Sequence, residues 1–249
     1  MSQAVLNPIS QATESGTKWK SLYRFGAVCA LTAIPVFLLD VIISFAGGDA
    51  NPDTMTAIDL FALFQGNWFL GLRMLGIFNI LSLAVTMPLY FALYSLHRQT
   101  HKACAALAMM LYLTGAAVYI SNNAAMPMLA LSGKYTLAPT EAQRSLIAAA
   151  GEAIIAKGAD FTPGSLIGFL FTEIVGMAFS FMMLRGGVFG KATAISGILG
   201  FASLTVFTVC LTFFPALFNT VMVIAVVGGL SNMVWYALTA RRLIKLCRE

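Results

Sequence analysis

Three ionisable side chains lie inside stretches of this sequence that otherwise carry apolar residues. Asp40 interrupts "FLLDVII", Arg73 interrupts "GLRML" and Glu173 interrupts "LFTEIVGM". An ionised side chain that faces lipid costs about 3 kcal/mol or more, so such groups turn inward and find a partner. Groups of this kind bind ions, carry protons or fix the packing of helices.

Two neighbouring amides extend this polar set. If each residue of a helix rises about 1.5 Å, all of these side chains fall about 6–12 Å below the outer surface of a bilayer. We therefore predict one outer-half polar cluster that binds a small molecule or ion, formed by Asp40, Arg73, Asn122, Asn123 and Glu173. The alternative is a buried salt bridge that fixes helix packing and binds nothing.

The composition defines the elements that position these residues. The chain has 249 residues, of which 59% are hydrophobic and 10% charged, against about 25% charged in soluble domains. It contains six apolar stretches of the length that crosses a bilayer, at about 25–46, 69–95, 104–131, 165–184, 193–215 and 219–240. We predict an all-α, polytopic membrane bundle of six transmembrane helices.

Charge predicts the orientation of these helices. Most of the 15 basic residues precede the first stretch, follow the sixth, or lie between the second and third or the fourth and fifth. Because positive loops stay inside, both termini are predicted to be cytosolic in a prokaryotic plasma or inner membrane. Residues 1–22 are predicted to be a disordered cytosolic segment and 241–249 a basic cytosolic tail. Membrane orientation therefore explains the net charge of +5. The predicted partner is the lipid bilayer, and nucleic-acid binding is not predicted.

The two long outer loops predict short helices. Thr140 and Gln143 form a T-x-x-Q capping pattern ahead of a helix that ends at Gly158. A second amphipathic stretch runs from Asp53 to Gly66. We predict two short interfacial helices, which either pack along the outer membrane surface or cover an outer cavity.

Catalytic and metal-binding patterns are not recognisable. His97 and His101 have the i, i+4 spacing of a zinc-binding helix, but Arg98 lies between them and no third ligand is evident. We predict no catalytic residue, no metal site and no cofactor. The leading hypothesis is a protein that binds or moves a small molecule or ion, as a transporter or sensor. A structural or assembly component is the alternative, and a membrane enzyme is a third hypothesis without a visible nucleophile–base pair.

Four longer stretches carry a family resemblance. They are "YISNNAAMPMLALSGKY", "TEAQRSLIAAAGEAIIA", "MMLRGGVFGKATAISGILG" and "WYALTARRL". Over about Leu22 to Leu246, the chain resembles an uncharacterised family of prokaryotic six-span integral membrane proteins, a domain-of-unknown-function family. The resemblance implies a six-helix fold in the cell membrane, and it implies no activity and no functional residue.

Overall fold

The parts of the chain that the structure describes consist of helices joined by irregular segments. The computed structural model describes residues 8–46 and 55–248. Ten helices occur in these ranges: α1 (Pro8–Ala46), α2 (Ala57–Gly66), α3 (Trp68–Met74), α4 (Ile77–His97), α5 (Lys102–Asn122), α6 (Ala125–Leu137), α7 (Glu141–Gly158), α8 (Pro163–Gly186), α9 (Lys191–Phe213) and α10 (Phe218–Arg248). A 3-10 turn, Pro215–Leu217, separates the last two.

Six apolar segments of the described chain are long enough to cross a membrane. They are Trp19–Ile43, Ile77–His97, Lys102–Leu137, Glu141–Gly186, Lys191–Phe213 and Pro215–Arg248. The third and fourth segments each contain two helices, of which α5 and α8, with 21 and 24 residues, are each long enough for a bilayer about 30 Å thick. The predicted all-α architecture with six apolar helices is therefore confirmed. We call α1, α4, α5, α8, α9 and α10 the membrane body.

Two of the predicted spans are interrupted. The stretch 69–95 divides into α3 and α4 at Gly76, whose φ of 81° lies in the left-handed region. The stretch 104–131 divides into α5 and α6 at Asn123. Pro127 lies in the first turn of α6, where its missing amide hydrogen is tolerated, although it could not continue an unbroken helix without losing a hydrogen bond.

The first and last helices, α1 and α10, extend beyond the predicted spans. The backbone of α1 is helical from Pro8, whereas residues 1–7 of the predicted disordered segment lie outside the described residues. Likewise α10 continues to Arg248, through most of the predicted basic tail. Each residue added to an existing helix gains a hydrogen bond without a new nucleation cost, which favours such extensions.

Close approach between helices organises the membrane body. Within it, α1 packs against α4 and α10, α8 packs against α5 and α9, and α9 packs against α10. Trp235 of α10 is fully buried and meets Phe201 of α9 edge-on, with 5.2 Å between ring centroids. A Cβ at Gly197 would lie 2.6 Å from Nε1 of Trp235, so glycine permits this α9–α10 contact.

The two predicted outer helices pack together on a second apolar core. This core joins α2, α3, α6 and α7, which we call the cap, and it includes Leu60, Phe61 and Met128. The carboxylate of Glu152 in α7 accepts a 2.6 Å hydrogen bond from the backbone N–H of Ala57, at the start of α2. The predicted pair of helices thus forms one unit with α3 and α6.

Capping residues define the starts of the two predicted helices. Asp53, the expected start of the first, lies outside the described residues, and α2 begins with a capping box between Thr56 and Asp59. Hydrogen bonds from the Thr56 side chain and backbone N–H hold the pKa of Asp59 below its usual range. At α7, the Thr140 side chain accepts from the N–H of Gln143 at 3.3 Å, which is half of the predicted box.

Candidate functional site

Three interruptions of the helical chain lie side by side where the membrane body meets the cap. They occur between α3 and α4 at residues 75–76, between α5 and α6 at 123–124, and between α7 and α8 at 159–162. We call them together the helix junction. Backbone N–H and C=O groups that leave a helix in a membrane need new partners, because lipid offers none.

Side-chain amides provide several of those partners. The Asn123 side chain donates to the carbonyl of Leu75 at 2.8 Å, and its oxygen accepts from the N–H of Ala125 at 3.0 Å. The Asn122 side chain donates to the carbonyl of Gly164 at 2.9 Å. Each amide therefore links its own helix break to one of the other two.

A carboxylate completes the helix junction. Asp160 accepts a 2.8 Å hydrogen bond from the side-chain amide of Asn79 and a short hydrogen bond from the hydroxyl of Tyr119. A Cβ at Gly76, the residue that precedes α4, would lie 2.6 Å from both Asp160 carboxylate oxygens. Asp160 thus lies at the N-terminus of α4, where the helix dipole favours a negative charge.

Asp40 and Arg73 form an ion pair next to this junction. Nε of Arg73 lies 3.1 Å from Oδ1 of Asp40, and Nη2 donates to the Asp40 backbone carbonyl at 3.2 Å. Both side chains are partly exposed, and Arg73 lies two residues before the break between α3 and α4. The ion pair joins α1 to the last turn of α3.

Glu173 lies in a different environment, in the middle of α8. Its side chain is 7% exposed, and Oε1 accepts a 2.8 Å hydrogen bond from the hydroxyl of Thr208 in α9. Oε2 is buried and has no hydrogen-bond partner among the described residues. A carboxyl oxygen in this position can be satisfied by its own proton, by a cation or by a hydrogen-bond donor of a ligand.

The structure divides the five predicted site residues into two groups. Four of them, Asp40, Arg73, Asn122 and Asn123, are at the helix junction or beside it. Glu173 is not, because it lies on the side of α8 that faces α9, and its carboxyl bonds to α9 rather than to Arg73. Of the two acids that we predicted to share a cluster with Arg73, only Asp40 forms an ion pair with it among the described residues.

Three junction residues were not anticipated from the sequence. Asp160 lies outside the six predicted apolar stretches, and Asn79 and Tyr119 are uncharged residues inside two of them. One available signal was Gly76 inside an apolar stretch, since isolated glycines mark bends and close approaches. A second was the pair Gly158 and Gly164 on either side of Asp160.

The ion pair yields a stability prediction. Replacing Arg73 with alanine leaves the partly buried Asp40 carboxylate without its donor, and we expect the free energy of unfolding to fall by about 1–3 kcal/mol. The measurement is a denaturant titration of the purified protein in mixed micelles. The double variant Asp40→Asn/Arg73→Gln should lose less than the sum of its single variants, because it leaves no unpaired charge. An Arg73→Ala protein as stable as the wild type would contradict a packing role.

These features define the class of the protein as an all-helical membrane protein with six apolar helices, a cap and a polar helix junction. No family model, no curated protein and no solved structure matches this chain. The resemblance to a six-span family of unknown function accordingly stays a prediction.

Proposed function

We propose that this membrane protein binds or moves a small molecule or ion, and that Glu173 is the side chain that contacts it. The observation that carries the proposal is the buried Oε2 atom without a partner, beside an Oε1 atom held by Thr208. Ionisable groups inside membrane helices are costly and are functional by default. The four other predicted residues then support the site by holding the adjacent helix breaks.

The free-energy cost of an unpaired buried oxygen favours a bound group at Glu173. A buried acceptor without a donor costs about 1–3 kcal/mol, and an ionised one costs more. Glutamine at this position could present its own N–H group in place of the missing donor. The presence of a carboxyl group is consistent with a proton, a cation or a ligand donor at Oε2.

The test compares Glu173→Gln with the wild type in lipid nanodiscs. Melting temperatures are recorded across a panel of Na⁺, K⁺, Mg²⁺, Ca²⁺ and small metabolites, and infrared difference spectra across pH report the carbonyl stretch of a protonated carboxyl. We expect a ligand-induced shift that weakens at least about tenfold in Glu173→Gln, or a protonated-carboxyl band that this variant lacks. The matched control is Glu141→Gln, which removes an exposed carboxylate from the cap.

The outcome that contradicts the proposal is equally specific. If Glu173→Gln folds normally, keeps every ligand-induced shift of the wild type and keeps its carboxyl band, then Glu173 contacts neither ligand nor proton. If Glu141→Gln shows the same losses as Glu173→Gln, the effect is one of overall charge and the assignment to Glu173 is wrong.

The proposal also includes an orientation in the membrane, with cytosolic termini in a prokaryotic plasma membrane and with α2 and α7 at the outer interface. This orientation is supported by the basic residues near the ends of α1, α4, α8 and α10. Reporter fusions after Arg248 and within residues 138–140 test it. Opposite locations for these two sites support the orientation, and the reverse pattern overturns it.

A second candidate function is a structural or assembly component. It is favoured by the helix junction, where the side chains of Asn122, Asn123 and Asp160 are all bonded to groups of the protein itself. Under this alternative, Arg73→Ala and Glu173→Gln change stability alone, and no ligand-dependent quantity distinguishes Glu173→Gln from the wild type.

A further inference from the structure

A groove of about 500 Å³ lies at the end of the membrane body opposite the cap, between α1 and the last turn of α10. Its lining residues are Lys20, Ser21, Arg24, Phe25, Val28 and Cys247. The thiol of Cys247 donates to the backbone carbonyl of Lys20 at 3.3 Å, so a direct contact between the two helices forms the floor of the groove.

The groove carries positive charge, and none of the side chains that the structure describes there is acidic. Lys20 and Arg24 are one helical turn apart on α1, and neither forms an ion pair among the residues that the structure describes. The neighbouring turns of α10 add further basic residues, Arg241, Lys245 and Arg248, without an acidic one. Among the side chains that the structure describes, the acidic ones lie in the cap, in α8, and at the helix junction or beside it, so the described charges at this end are positive.

The groove continues from its charged end into an apolar one. Phe25 directly follows Arg24 on α1 and Val28 lies one turn beyond it, and these residues are 57% and 53% exposed. They belong to the apolar segment Trp19–Ile43, which is long enough to cross the membrane. Basic side chains next to exposed apolar side chains match a molecule with an anionic head and a hydrocarbon tail.

We propose that this groove is a binding site for one anionic phospholipid. Lys20 and Arg24 pair with the headgroup phosphate, the hydroxyl of Ser21 lies beside it, and the first part of an acyl chain lies along Phe25 and Val28. Inorganic phosphate would pair with the basic side chains but would leave Phe25 and Val28 uncovered. A zwitterionic lipid would cover these apolar side chains, but its headgroup carries no net charge. The site is independent of Glu173, so it stands or falls separately from the proposed function.

The experiment uses the full chain in nanodiscs of phosphatidylcholine that contain a trace of phosphatidylglycerol with a photoactivatable acyl chain. Irradiation is expected to label the peptides that contain residues 25–28. In Lys20→Gln/Arg24→Gln, labelling there should fall roughly thirtyfold, the effect of two basic residues at an anionic lipid surface. The matched control is Arg185→Gln/Lys191→Gln, which removes two exposed charges outside the groove and should keep the labelling.

Competition in the wild-type protein tests the same site without any variant. Replacing part of the phosphatidylcholine with unlabelled phosphatidylglycerol should suppress labelling, and replacing the same part with zwitterionic phosphatidylethanolamine, or adding inorganic phosphate, should not. Suppression by phosphatidylethanolamine would show that the groove does not select an anionic head. Suppression by inorganic phosphate would show that the acyl chain contributes nothing, and equal losses in the two double variants would show general attraction rather than a site. Each of these results overturns the proposal.

Discussion

Replacing Gly158 with alanine is expected to lower the free energy of unfolding by about 3 kcal/mol or more. Gly158 ends α7, and its carbonyl accepts the N–H of Ala124 at 3.1 Å. A Cβ on this residue would overlap the backbone carbonyl of Asn122. A carbonyl oxygen cannot rotate away as a flexible side chain can, so the α7 terminus would have to move off the α5–α6 break. The measurement is the unfolding midpoint in mixed micelles, together with the melting temperature.

The matched control is Gly133→Ala. Gly133 lies within α6 and has nothing within 4 Å of the position that a Cβ would take. Alanine is favoured over glycine in a helix interior by up to about 1 kcal/mol, so this variant should be as stable as the wild type or slightly more so. If Gly158→Ala proved as stable as Gly133→Ala, the close contact between α7 and the α5–α6 break would be refuted.

Removal of the Asp160 carboxylate should have the second large effect. In Asp160→Ala, the hydroxyl of Tyr119 keeps only a 3.4 Å contact to the carbonyl of Gly76, and the amide of Asn79 loses its 2.8 Å acceptor. Tyr119 is buried and Asn79 is partly buried, and two such donors without good acceptors cost about 2–5 kcal/mol together. We expect a loss of that size in the free energy of unfolding, measured by the same titration.

Asp160→Asn distinguishes this hydrogen-bond role from a role of charge. Asparagine keeps one acceptor oxygen for either Tyr119 or Asn79, so it should recover part of the stability that Asp160→Ala loses. If both variants lost the same amount, the charge of Asp160 at the start of α4 would be the main stabilising factor. If neither lost stability, the carboxylate would not hold the helix junction.

Hydropathy and charge were sufficient to predict the class of the protein and its six apolar helices. Those properties depend on averages over about 20 residues, and single exceptions such as Asp40 do not disturb them. The bounds of α7 were also predictable, because Thr140 and Gly158 carry local capping signals that act within one turn of the chain. Local chemistry thus predicted the apolar helices of the membrane body and the two cap helices α2 and α7, whereas the breaks that separate α3 from α4 and α5 from α6 were not predicted.

Pairing between distant residues was less predictable. Depth in the bilayer placed Asp40, Arg73 and Glu173 together, but depth does not determine which side of a helix a residue occupies. Glu173 faces α9, whereas Arg73 reaches α1. Asp160 lies in a connection of only a few residues, and its partners come from α4 and α5. No local pattern predicts that two other helix breaks lie beside that connection.

The position of the helix junction has a mechanical consequence. Three connections between the cap and the membrane body, near Gly76, Asn123 and Asp160, are short, non-helical and lie together, and most of the fourth, between α1 and α2, lies outside the described residues. Dihedral changes at the ends of elements are the usual way in which one part of a protein rotates against another. A rotation of the cap about this point would displace its distant edge, near Leu137, much further than Tyr119 or Asp160. Outward tilting of the cap is therefore compatible with an unchanged set of hydrogen bonds at the pivot.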